Sequence, residues 1–392
     1  MKSRWIAVAL ILLVAPLLFV AGCGGGTPTG SAGALGAIPP GWQAHHPIIV
    51  RGPGTDLVSG AMPPGYTPTQ IRHAYGFDTL SAQGAGQTVA IVDAYGSPTI
   101  AKDLATFSTK FGLPAATLTI AYPQGRPAKV DGGWALETAL DVEWVHAIAP
   151  KAKILLVVAK DAYGSNMFPS VVYGATRAAQ VSMSWGGGEF AGEGAALKQY
   201  FNRSGVAYVG SAGDSGGDPN IPSALSQVIC VGGTTLNLNG AGTITSETGW
   251  DGSNGGKSID IPRPAWQKLW NKTAMRECPD VSCVADPNTG VPVYSSTPWS
   301  PGQKGWVQVG GTSLSAPIVA AMMARVNSGR GSALTGVPAA VYSLGTPTAF
   351  KTYFRDITAG SNNSYSCKAG YDMVTGIGSP KANTLVPALI SK

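Results

Sequence analysis

Charged side chains are scarce in this chain. Only 12% of its 392 residues are Asp, Glu, Lys or Arg, and the formal net charge at neutral pH is +6. The basic residues are scattered and do not alternate with aromatic residues, so we expect no nucleic-acid partner. A chain with few ionisable groups also repels itself weakly when acid protonates its carboxylates, which is compatible with work at low pH.

Histidine and cysteine are scarce as well, with four and five residues. A zinc site is not expected, because no two cysteines form a CxxC pair and no histidine lies near them. Four cysteines lie beyond the N-terminal region, and they permit three disulfide pairings, among which the sequence does not choose. A small loop closed across "CPDVSC" is one possibility. The four residues are Cys230, Cys278, Cys283 and Cys367.

The long hydrophobic run of the chain stands at its N-terminus. "MKSRWIAVALILLVAPLLFVAGC" has two cations, an apolar stretch and small residues before Cys23, which is typical of a secretory signal peptide. The ending "VAGC" predicts a bacterial lipoprotein, with residues 1–22 removed and Cys23 lipidated. We therefore expect a membrane-anchored protein of the bacterial envelope or the extracellular space. Plain cleavage nearby and an uncleaved anchor helix are the alternatives.

Residues 23–65 read as a flexible tether and lead-in. "GGGTPTGSAGALGAIPPG" directly follows Cys23, and such Gly, Ser, Thr and Pro cannot bury a core. Residues 66–392 form the main domain, in which we find no internal repeat and no sign of a second domain. We expect a monomer.

The main domain alternates apolar runs with helical patterns. Runs that are apolar almost throughout suit strands covered on both faces, as in a parallel sheet. The alternation predicts an α/β fold, a doubly wound and mostly parallel sheet with helices on both faces. The strand-like runs are "TVAIVDAY", "AKILLVVA", "QVSMSW", "VAYVGSAG" and "QVICVGGTTL". The helical patterns are "TIAKDLATFSTKFG", "GWALETALDVEWVHAIAP", "NMFPSVVYGATRAAQ" and "GEGAALKQYFNRSG".

Ser313 lies in "VGGTSLSAP", a glycine-rich turn that opens an apolar helix. A serine at a helix start is most often a cap, but as a nucleophile it needs a base, which is usually histidine. No histidine stands on the helix that should carry that base, which reads "ETALD" instead. Glu137 and Asp141 lie one turn apart on the same face. Two carboxyls in apolar surroundings share protons, which makes an acid–base device below neutral pH.

A third carboxyl, Asp214, lies in "SAGDSGG" after a predicted strand. An aspartic acid that keeps its proton can donate a hydrogen bond to a developing oxyanion, whereas an ionised aspartate would repel it. Read alone, "GDSGG" is equally a polar turn.

These segments together resemble the sedolisin family of serine-carboxyl peptidases over residues 66–392. The resemblance implies a subtilisin-like fold and a Ser-Glu-Asp triad. It implies that Ser313 is the nucleophile, Glu137 the general base and Asp141 the residue that orients it, while Asp214 lies in the oxyanion hole. The motifs that carry it are "YTPTQIRHAYGF", "ETALDVEWVHAIAPKAKI", "SMSWGGGE", "SAGDSGG", "GGTSLSAP" and "RDITAGSN…AGYDMVTGIGSP".

The same resemblance implies further site residues. Asp93 and Trp185 match places where some sedolisins extend the carboxyl network, although a turn residue and a core tryptophan are the plain alternatives. Ser184, Gly186 and Gly187 are expected to line the substrate cleft, because glycines let an extended peptide approach the backbone. His146 stands nine residues after Glu137, on another helix face, and we expect it to be a packed core residue.

The C-terminal segment "RDITAGSNNSYSCKAGYDMVTG" predicts a site for one calcium ion, because carboxylates and exposed carbonyls suit a hard cation. By resemblance its ligands are the side chains of two aspartates and three backbone carbonyls. A lysine stands where a small residue is expected, and a polar loop is the alternative reading. The five residues are Asp356, Ile357, Lys368, Gly370 and Asp372.

We therefore expect a secreted, lipid-anchored endopeptidase that hydrolyses protein or peptide substrates at acidic pH. One departure from the family is the lead-in, which is too short for the usual long prodomain. Two rival hypotheses remain. One is a catalytically silent lipoprotein that uses the fold to bind peptides or envelope material. The other is a histidine-dependent hydrolase that uses Ser313.

Overall fold

A parallel β-sheet forms the centre of the computed structural model, which describes residues 37–55 and 61–392. Within these residues, no helix combines the length and the apolar content needed to cross a bilayer. The predicted signal peptide and Cys23 lie outside the described residues. The strands of the described part are β1 Ile49–Thr55, β2 Thr88–Ala94, β3 Thr117–Ala121, β4 Lys153–Ala159, β5 Gln180–Met183, β6 Gly187–Gly188, β7 Ala207–Ser211, β8 Asn220–Ile221, β9 Val228–Leu238, β10 Ile244–Gly249, β11 Gly256–Pro262, β12 Met275–Cys278, β13 Val281–Val284, β14 Val291–Ser300, β15 Gln303–Gly310, β16 Phe354–Arg355 and β17 Ser379–Pro380.

The helices occupy the connections between these strands and the C-terminal region. In the described residues they are α1 Pro68–Tyr75, α2 Ile100–Phe111, α3 Gly132–Ile148, α4 Gly164–Ala175, α5 Glu193–Leu197, α6 Thr312–Ser328, α7 Val337–Leu344, α8 Phe350–Tyr353 and α9 Ala382–Ile390.

The central sheet has the strand order β10-β9-β7-β5-β2-β4-β3, and β13 also pairs with β9. Seven of these eight strands run parallel, and β10 pairs antiparallel with β9 at the edge. The chain crosses from β2 to β4 on one side and to β5 on the other. This is the doubly wound arrangement that the alternating pattern predicts.

Strand β2 shows why its run is apolar throughout. Val89 and Ile91 face one hydrophobic core, and Ala90 and Val92 face a second core on the other side of the sheet. Successive side chains of a strand point to opposite faces, so a strand covered on both faces needs no polar alternation. The cores contain residues of α2, α3 and α6 on one face and of α4 and α5 on the other.

Two expectations about local structure are corrected. The pattern "GEGAALKQYFNRSG" forms only the short helix α5 and a 3₁₀ turn at Lys198–Tyr200. The four described cysteines are free thiols, so the loop from Cys278 to Cys283 is not closed by a disulfide. These two cysteines instead lie in β12 and β13.

The lead-in is the larger correction, because its described residues 37–55 are not a flexible tether. Strand β1 pairs antiparallel with β15, with Ile49 opposite Gly310, in a three-stranded sheet completed by β14. Upstream of β1, isolated bridges join Gln43 to Tyr163 and His45 to Gly186. These contacts are long-range, so local composition carries no signal for them.

Candidate active site

Three predicted site residues stand at the carboxyl end of the parallel sheet. Asp93 is the penultimate residue of β2, Ser184 directly follows β5, and Asp214 follows β7 after two residues. The carboxyl ends of parallel strands meet at one edge, where open α/β sheets form their sites. The fold therefore brings together residues from three separate motifs.

Helix α3 brings the two carboxyls of "ETALD" to this edge. The Asp131 side chain caps the helix by accepting the Trp134 N–H at 3.1 Å, and every residue from Trp134 to Ile148 is buried. The helix is enclosed on all sides, so the face that carries Glu137 and Asp141 is not solvated. Both side chains are fully buried.

Helix α6 presents Ser313 in its first turn. Gly311 precedes the helix at a φ of 113°, a conformation that favours glycine. A side chain at Gly311 would also collide with Asp214 Oδ2. The Ser313 side chain is buried, and its Oγ lies 3.5 Å from the carbonyl oxygen of Ser184. The turn before α6 therefore needs glycine on two separate grounds.

Ser184 links the acidic helix to the serine helix. Its hydroxyl donates to Asp141 Oδ1 at 2.6 Å, and the same hydroxyl lies 3.2 Å from the carbonyl oxygen of Ser313. Sequence reasoning did not predict this bond to Asp141. Gly186 forms a bridge with His45, and a side chain at Gly187 would collide with the Trp42 ring. The place of Ser184, Gly186 and Gly187 in the substrate cleft stays a prediction.

Burial raises the pKa of Glu137 well above its ordinary value, and the nearby Asp141 and Asp93 carboxyls raise it further. The Ser313 hydroxyl acts in the opposite direction, which places this hydroxyl beside the Glu137 carboxyl. Burial likewise raises the pKa of Asp141, and Asp93 adds to the effect. In a low-dielectric site, neighbouring carboxyls share protons, so Glu137 and Asp141 titrate as a pair.

Asp93 belongs to this cluster, but Trp185 does not. Burial raises the pKa of Asp93 to about 7, and the Thr138 hydroxyl offsets part of the shift. The Trp185 indole N–H donates to the backbone carbonyl of Val92 at 2.7 Å and is not bonded to a carboxyl. Trp185 therefore supports the end of β2, and the expected extension of the carboxyl network through its indole is corrected.

Asp214 has one oxygen that is anchored and one that is not. Its Oδ1 accepts the Thr312 N–H at 2.8 Å and the Thr312 hydroxyl at 2.7 Å. Its Oδ2 is out of contact with solvent and has no hydrogen-bond partner in the described residues. Burial raises the pKa of Asp214 to about 8. A protonated Oδ2 here is a free donor aimed beside Gly311.

Two of the histidines, His146 and His46, lie in different surroundings. His146 is fully buried, with Nε2 2.8 Å from the carbonyl oxygen of Pro114, so it packs in the core and faces away from Glu137. His46 of the lead-in places Nδ1 3.9 Å from Glu137 Oε2, and burial lowers its pKa. Sequence reasoning did not place His46, since nothing local ties it to α3.

Two of the predicted calcium ligands, Asp356 and Asp372, accept hydrogen bonds from the same short segment of the C-terminal region. Asp372 Oδ1 accepts two backbone N–H groups, and its Oδ2 accepts the Lys368 N–H at 3.1 Å. Asp356 Oδ1 accepts the Gly370 N–H at 2.9 Å, and its Oδ2 lies 3.0 Å from Lys351 Nζ. Both carboxylates thus meet the same short loop.

The donor set fits a hard cation bound mainly by carboxylate and carbonyl oxygens. In the described ranges, no group of three or more His, Cys, Asp or Glu side chains stands ready to hold a metal. An ion at this loop would therefore depend on backbone carbonyls, as the sequence predicts. It would also have to displace the Lys351 ammonium from Asp356, a competitor that sequence reasoning did not identify.

A buried serine at a helix start, beside carboxyls that replace the usual histidine base, defines the class of a serine-carboxyl hydrolase. The Subtilase family model matches residues 125–371. Kumamolisin of Bacillus sp. (strain MN-32) is 32% identical over 376 residues, which cover 84% of this chain and 64% of kumamolisin. Sedolisin of Pseudomonas sp. (strain 101) is 33% identical over 173 residues, which cover 40% of this chain and 28% of that protein.

The solved structure of Pseudomonas sedolisin, a serine-carboxyl proteinase complexed with two molecules of pseudo-iodotyrostatin, matches with a TM-score of 0.73. The match is 25% identical and covers 85% of this chain and 100% of that chain. The chain therefore belongs to the subtilase family, among the sedolisins, and the predictions of family and fold are confirmed. It spans just under two thirds of the length of kumamolisin, at 64%.

Proposed function

We propose that this protein is an endopeptidase that hydrolyses peptide bonds of protein or peptide substrates in acid. One observation carries the proposal. Four carboxyl groups surround the start of α6, and among the described residues they form no ion pair with lysine or arginine. Such a cluster keeps protons that ordinary carboxyls lose, so carboxyl groups can do the work of a histidine base.

Each group has one role in the reaction. Glu137 acts as the base when the proton that it shares with Asp141 lies on Asp141. It takes the proton of Ser313 as Oγ attacks the carbonyl carbon, and then gives that proton to the leaving nitrogen. Asp141, held by the Ser184 hydroxyl, stabilises the protonated Glu137. Asp214 donates through Oδ2 to the oxyanion. Water then attacks the acyl-enzyme by the same steps in reverse, and Ser313 is released.

The protonation state of Asp214 supports an acidic range. A pKa of about 8 leaves Asp214 protonated in acid and ionises it as the solution becomes alkaline. The ionised form repels the oxyanion and donates no proton. Activity is therefore expected to fall as pH rises towards 8, and the protein works on the acid side.

A lipid on Cys23 is part of this proposal, and so is export to the bacterial envelope. The support is the sequence "VAGC" and the apolar run before it, which are typical of a lipoprotein signal. Acyl chains on one cysteine would tether the protein to a membrane without spanning it. The mass of the N-terminal peptide tests the anchor, because acylation of Cys23 raises it by the mass of the acyl chains.

One calcium ion at the C-terminal loop completes the proposal. Asp356 and Asp372 would supply carboxylates, and Ile357, Lys368 and Gly370 would supply carbonyls. The ion would fix the loop that joins β16 to the turn at Asp372, at a distance from the chemistry. Its support is the convergence of both carboxylates on residues 368–370.

A peptide-library digest from about pH 2 to about pH 8 tests the activity. We expect hydrolysis in acid, none by Ser313→Ala, and a loss of about 10²–10⁴-fold in Glu137→Gln. Asp214→Ala is expected to lose about 10²–10³-fold. His146→Ala is the matched control and should retain activity. Loss of activity in His146→Ala with retention in Glu137→Gln would favour the histidine-dependent hydrolase, and no hydrolysis at any pH would favour the silent binding protein.

A further inference from the structure

A cavity of about 420 Å³ opens at the amino ends of the parallel strands β7 and β9. Its lining includes Val206, which directly precedes β7, and Gln227, which directly precedes β9. Asp214 follows the carboxyl end of β7, so the cavity and the candidate active site lie at opposite edges of the sheet. A cavity of this size is typical of a site for one small molecule.

Three aromatic side chains line the cavity. Phe201 and Tyr208 are each 2% exposed and pack edge to face, with ring centroids 5.2 Å apart. Trp266 is half-buried, and its ring packs on Tyr342 with centroids 4.6 Å apart. Packing holds these rings in place, so a ligand gains apolar contact without first having to order them.

The charged side chains of the lining are all basic. Lys198 and Arg203 are exposed residues of the lining, which contains no aspartate or glutamate among the described residues. Neither cation forms an ion pair within the described ranges. The charge of the cavity therefore favours an anion, such as a carboxylate or a phosphate, and disfavours a cation.

The Tyr208 hydroxyl is a buried donor that the protein does not use. Its oxygen is out of contact with solvent and has no hydrogen-bond partner of regular geometry in the part of the chain that the structure describes. Burial raises the pKa of this hydroxyl, and the backbone and the charge of Arg203 act in the opposite direction, which places the hydroxyl beside Arg203. Buried polar groups nearly always have a partner, and a ligand oxygen beside Arg203 would satisfy both side chains.

The first turn of α7 adds backbone donors to the same cavity. The residues from Gly336 to Ala339 line it, and Gly336 precedes the helix at a φ of 56° without a side-chain cap. The first N–H groups of a helix have no partner inside the helix and carry the positive end of its dipole. Pro338 has no N–H, so Val337 and Ala339 supply the donors. An anion in the cavity would meet these donors as well.

We propose that this cavity binds a small organic anion, a carboxylate that carries an aromatic or branched apolar group. The apolar group packs on Phe201 and Trp266. The carboxylate accepts hydrogen bonds from Arg203, from the Tyr208 hydroxyl and from the N–H groups at the start of α7. The cavity takes no part in the peptidase chemistry, so this inference does not depend on the proposed function.

The aromatic lining distinguishes this ligand from inorganic phosphate. Phosphate could use the same donors, but it would leave the rings of Phe201 and Trp266 without contact. A peptide that ends in an apolar residue has both parts of the ligand, a C-terminal carboxylate and an apolar side chain, so products of peptide hydrolysis belong to this class. N-acetyl-phenylalanine is a small probe that has both parts.

Calorimetric titration of the full chain measures the binding, with Ser313→Ala in place to prevent self-digestion. The titrants are N-acetyl-phenylalanine, its neutral amide and inorganic phosphate, at about pH 7, where a free carboxyl group is ionised. We expect a Kd of about 1 mM for the acid, which is ordinary for a ligand of this size. The amide and the phosphate should each bind at least about tenfold more weakly, because each lacks one part of the ligand.

Three variants in the same background locate the ligand. Arg203→Gln removes one charge from the cavity, and Arg177→Gln removes the same charge from an arginine outside the lining, whose guanidinium lies 3.7 Å from the Tyr173 ring centroid. We expect the acid to bind at least about tenfold more weakly to Arg203→Gln and with unchanged affinity to Arg177→Gln, since only the first loses a charged hydrogen bond. Tyr208→Phe keeps the ring and removes the hydroxyl, and should weaken binding about three- to tenfold.

The outcomes either support or overturn the site. Equal affinity for the acid and the amide overturns the anion, and phosphate that binds as tightly as the acid overturns the aromatic contact. Equal affinity of Arg203→Gln and Arg177→Gln for the acid places the binding elsewhere. No saturable binding of the acid at about ten times the expected Kd overturns the proposal as a whole. An unchanged midpoint of urea denaturation shows that the variants fold like the parent chain.

Discussion

Asp280 and three carboxyls of the cluster at the start of α6, those of Asp93, Glu137 and Asp141, are all buried, but their surroundings differ. Asp280 receives a bidentate pair from Arg276, with N–O distances of 2.9 and 2.7 Å, and also the Tyr342 hydroxyl and the Cys230 N–H. Each of its oxygens is satisfied. In the described residues, both oxygens of Asp93 and of Glu137 lack a hydrogen-bond partner of regular geometry.

The difference in surroundings shows that the two kinds of buried carboxyl group have different roles. A carboxylate with a buried cation and full hydrogen bonding ties elements together, here β12 with β9 and α7. A carboxyl without a cation keeps its proton instead, and its pKa rises. The first arrangement holds the fold together, and the second holds protons in reserve next to Ser313.

The largest expected difference is between two substitutions, one in the Asp280 ion pair and one in the carboxyl cluster. Arg276→Met leaves Asp280 as a buried carboxylate without its cation, so the free energy of unfolding should fall by about 3–5 kcal/mol. Glu137→Gln replaces one carboxyl of a proton-sharing pair by a neutral amide of the same shape and leaves no buried cation unpaired, so it should change the free energy of unfolding by less than about 1 kcal/mol at neutral pH. Urea denaturation, with both variants made in Ser313→Ala to prevent self-digestion, measures the two values. Comparable losses in both variants would contradict the distinction.

The pH dependence of stability sharpens the comparison. Asp93 and Asp214, with pKa values of about 7 and about 8, keep protons in the folded state that the unfolded chain loses near pH 4. Folding therefore binds protons between about pH 4 and about pH 8, and the free energy of unfolding falls as pH rises through that window.

The control for this effect is Asp214→Asn in the Ser313→Ala background. It removes one of the titrating groups, so the slope of stability against pH should become shallower by up to about 1.4 kcal/mol per pH unit. Urea denaturation at several pH values between those limits measures it. A slope that Asp214→Asn does not alter would show that the carboxyl does not hold its proton in the folded state.

Removal of the proposed calcium ion by a chelator should have the smallest effect on stability. Its site is a third kind of carboxyl site. Asp356 and Asp372 accept hydrogen bonds from the N–H groups of the loop at residues 368–370, and a bound ion there would supply the cation that Asp280 has in Arg276. A ligand present at about 100 times its Kd stabilises the folded state by about 2.7 kcal/mol. Adding a chelator should therefore lower the melting temperature of wild type by a few degrees and leave Asp372→Asn unchanged. Equal melting curves for wild type with and without chelator would count against the ion.

The candidate site divides into a part that sequence reasoning found and a part that it missed. Glu137, Asp141, Asp214 and Ser313 stand in three motifs that can be read locally, and the fold brings all three motifs to one edge of the sheet. The role of Ser184 towards Asp141 and the position of His46 beside Glu137 were missed. They depend on contacts between residues 43 and 91 positions apart, for which no local pattern exists.

Trp185 and the lead-in are two places where sequence reasoning made a prediction and the structure differs from it. Trp185 was placed in the carboxyl network by its motif, but its indole reaches the Val92 carbonyl. Residues 37–55 were read as part of a flexible tether and loosely packed lead-in because the segment is low in periodicity, and yet β15 and Gly186 hold them by backbone hydrogen bonds. Backbone pairing needs no particular side chain, so amino-acid composition does not predict it.

The sequence by itself predicted five strands of the central sheet, the spacing that puts Glu137 and Asp141 on one helical face, and the family. These follow from backbone periodicities of a few residues, which local sequence encodes directly. Only the tertiary structure decided that, among the described residues, the acidic cluster has no lysine or arginine partner, that Asp214 Oδ2 and the Pro47 carbonyl both lie beside Gly311, and that His45 of the lead-in pairs with Gly186. The desolvation of a buried group and the pairing of distant segments both depend on how the whole chain packs, so no single segment of the sequence encodes them.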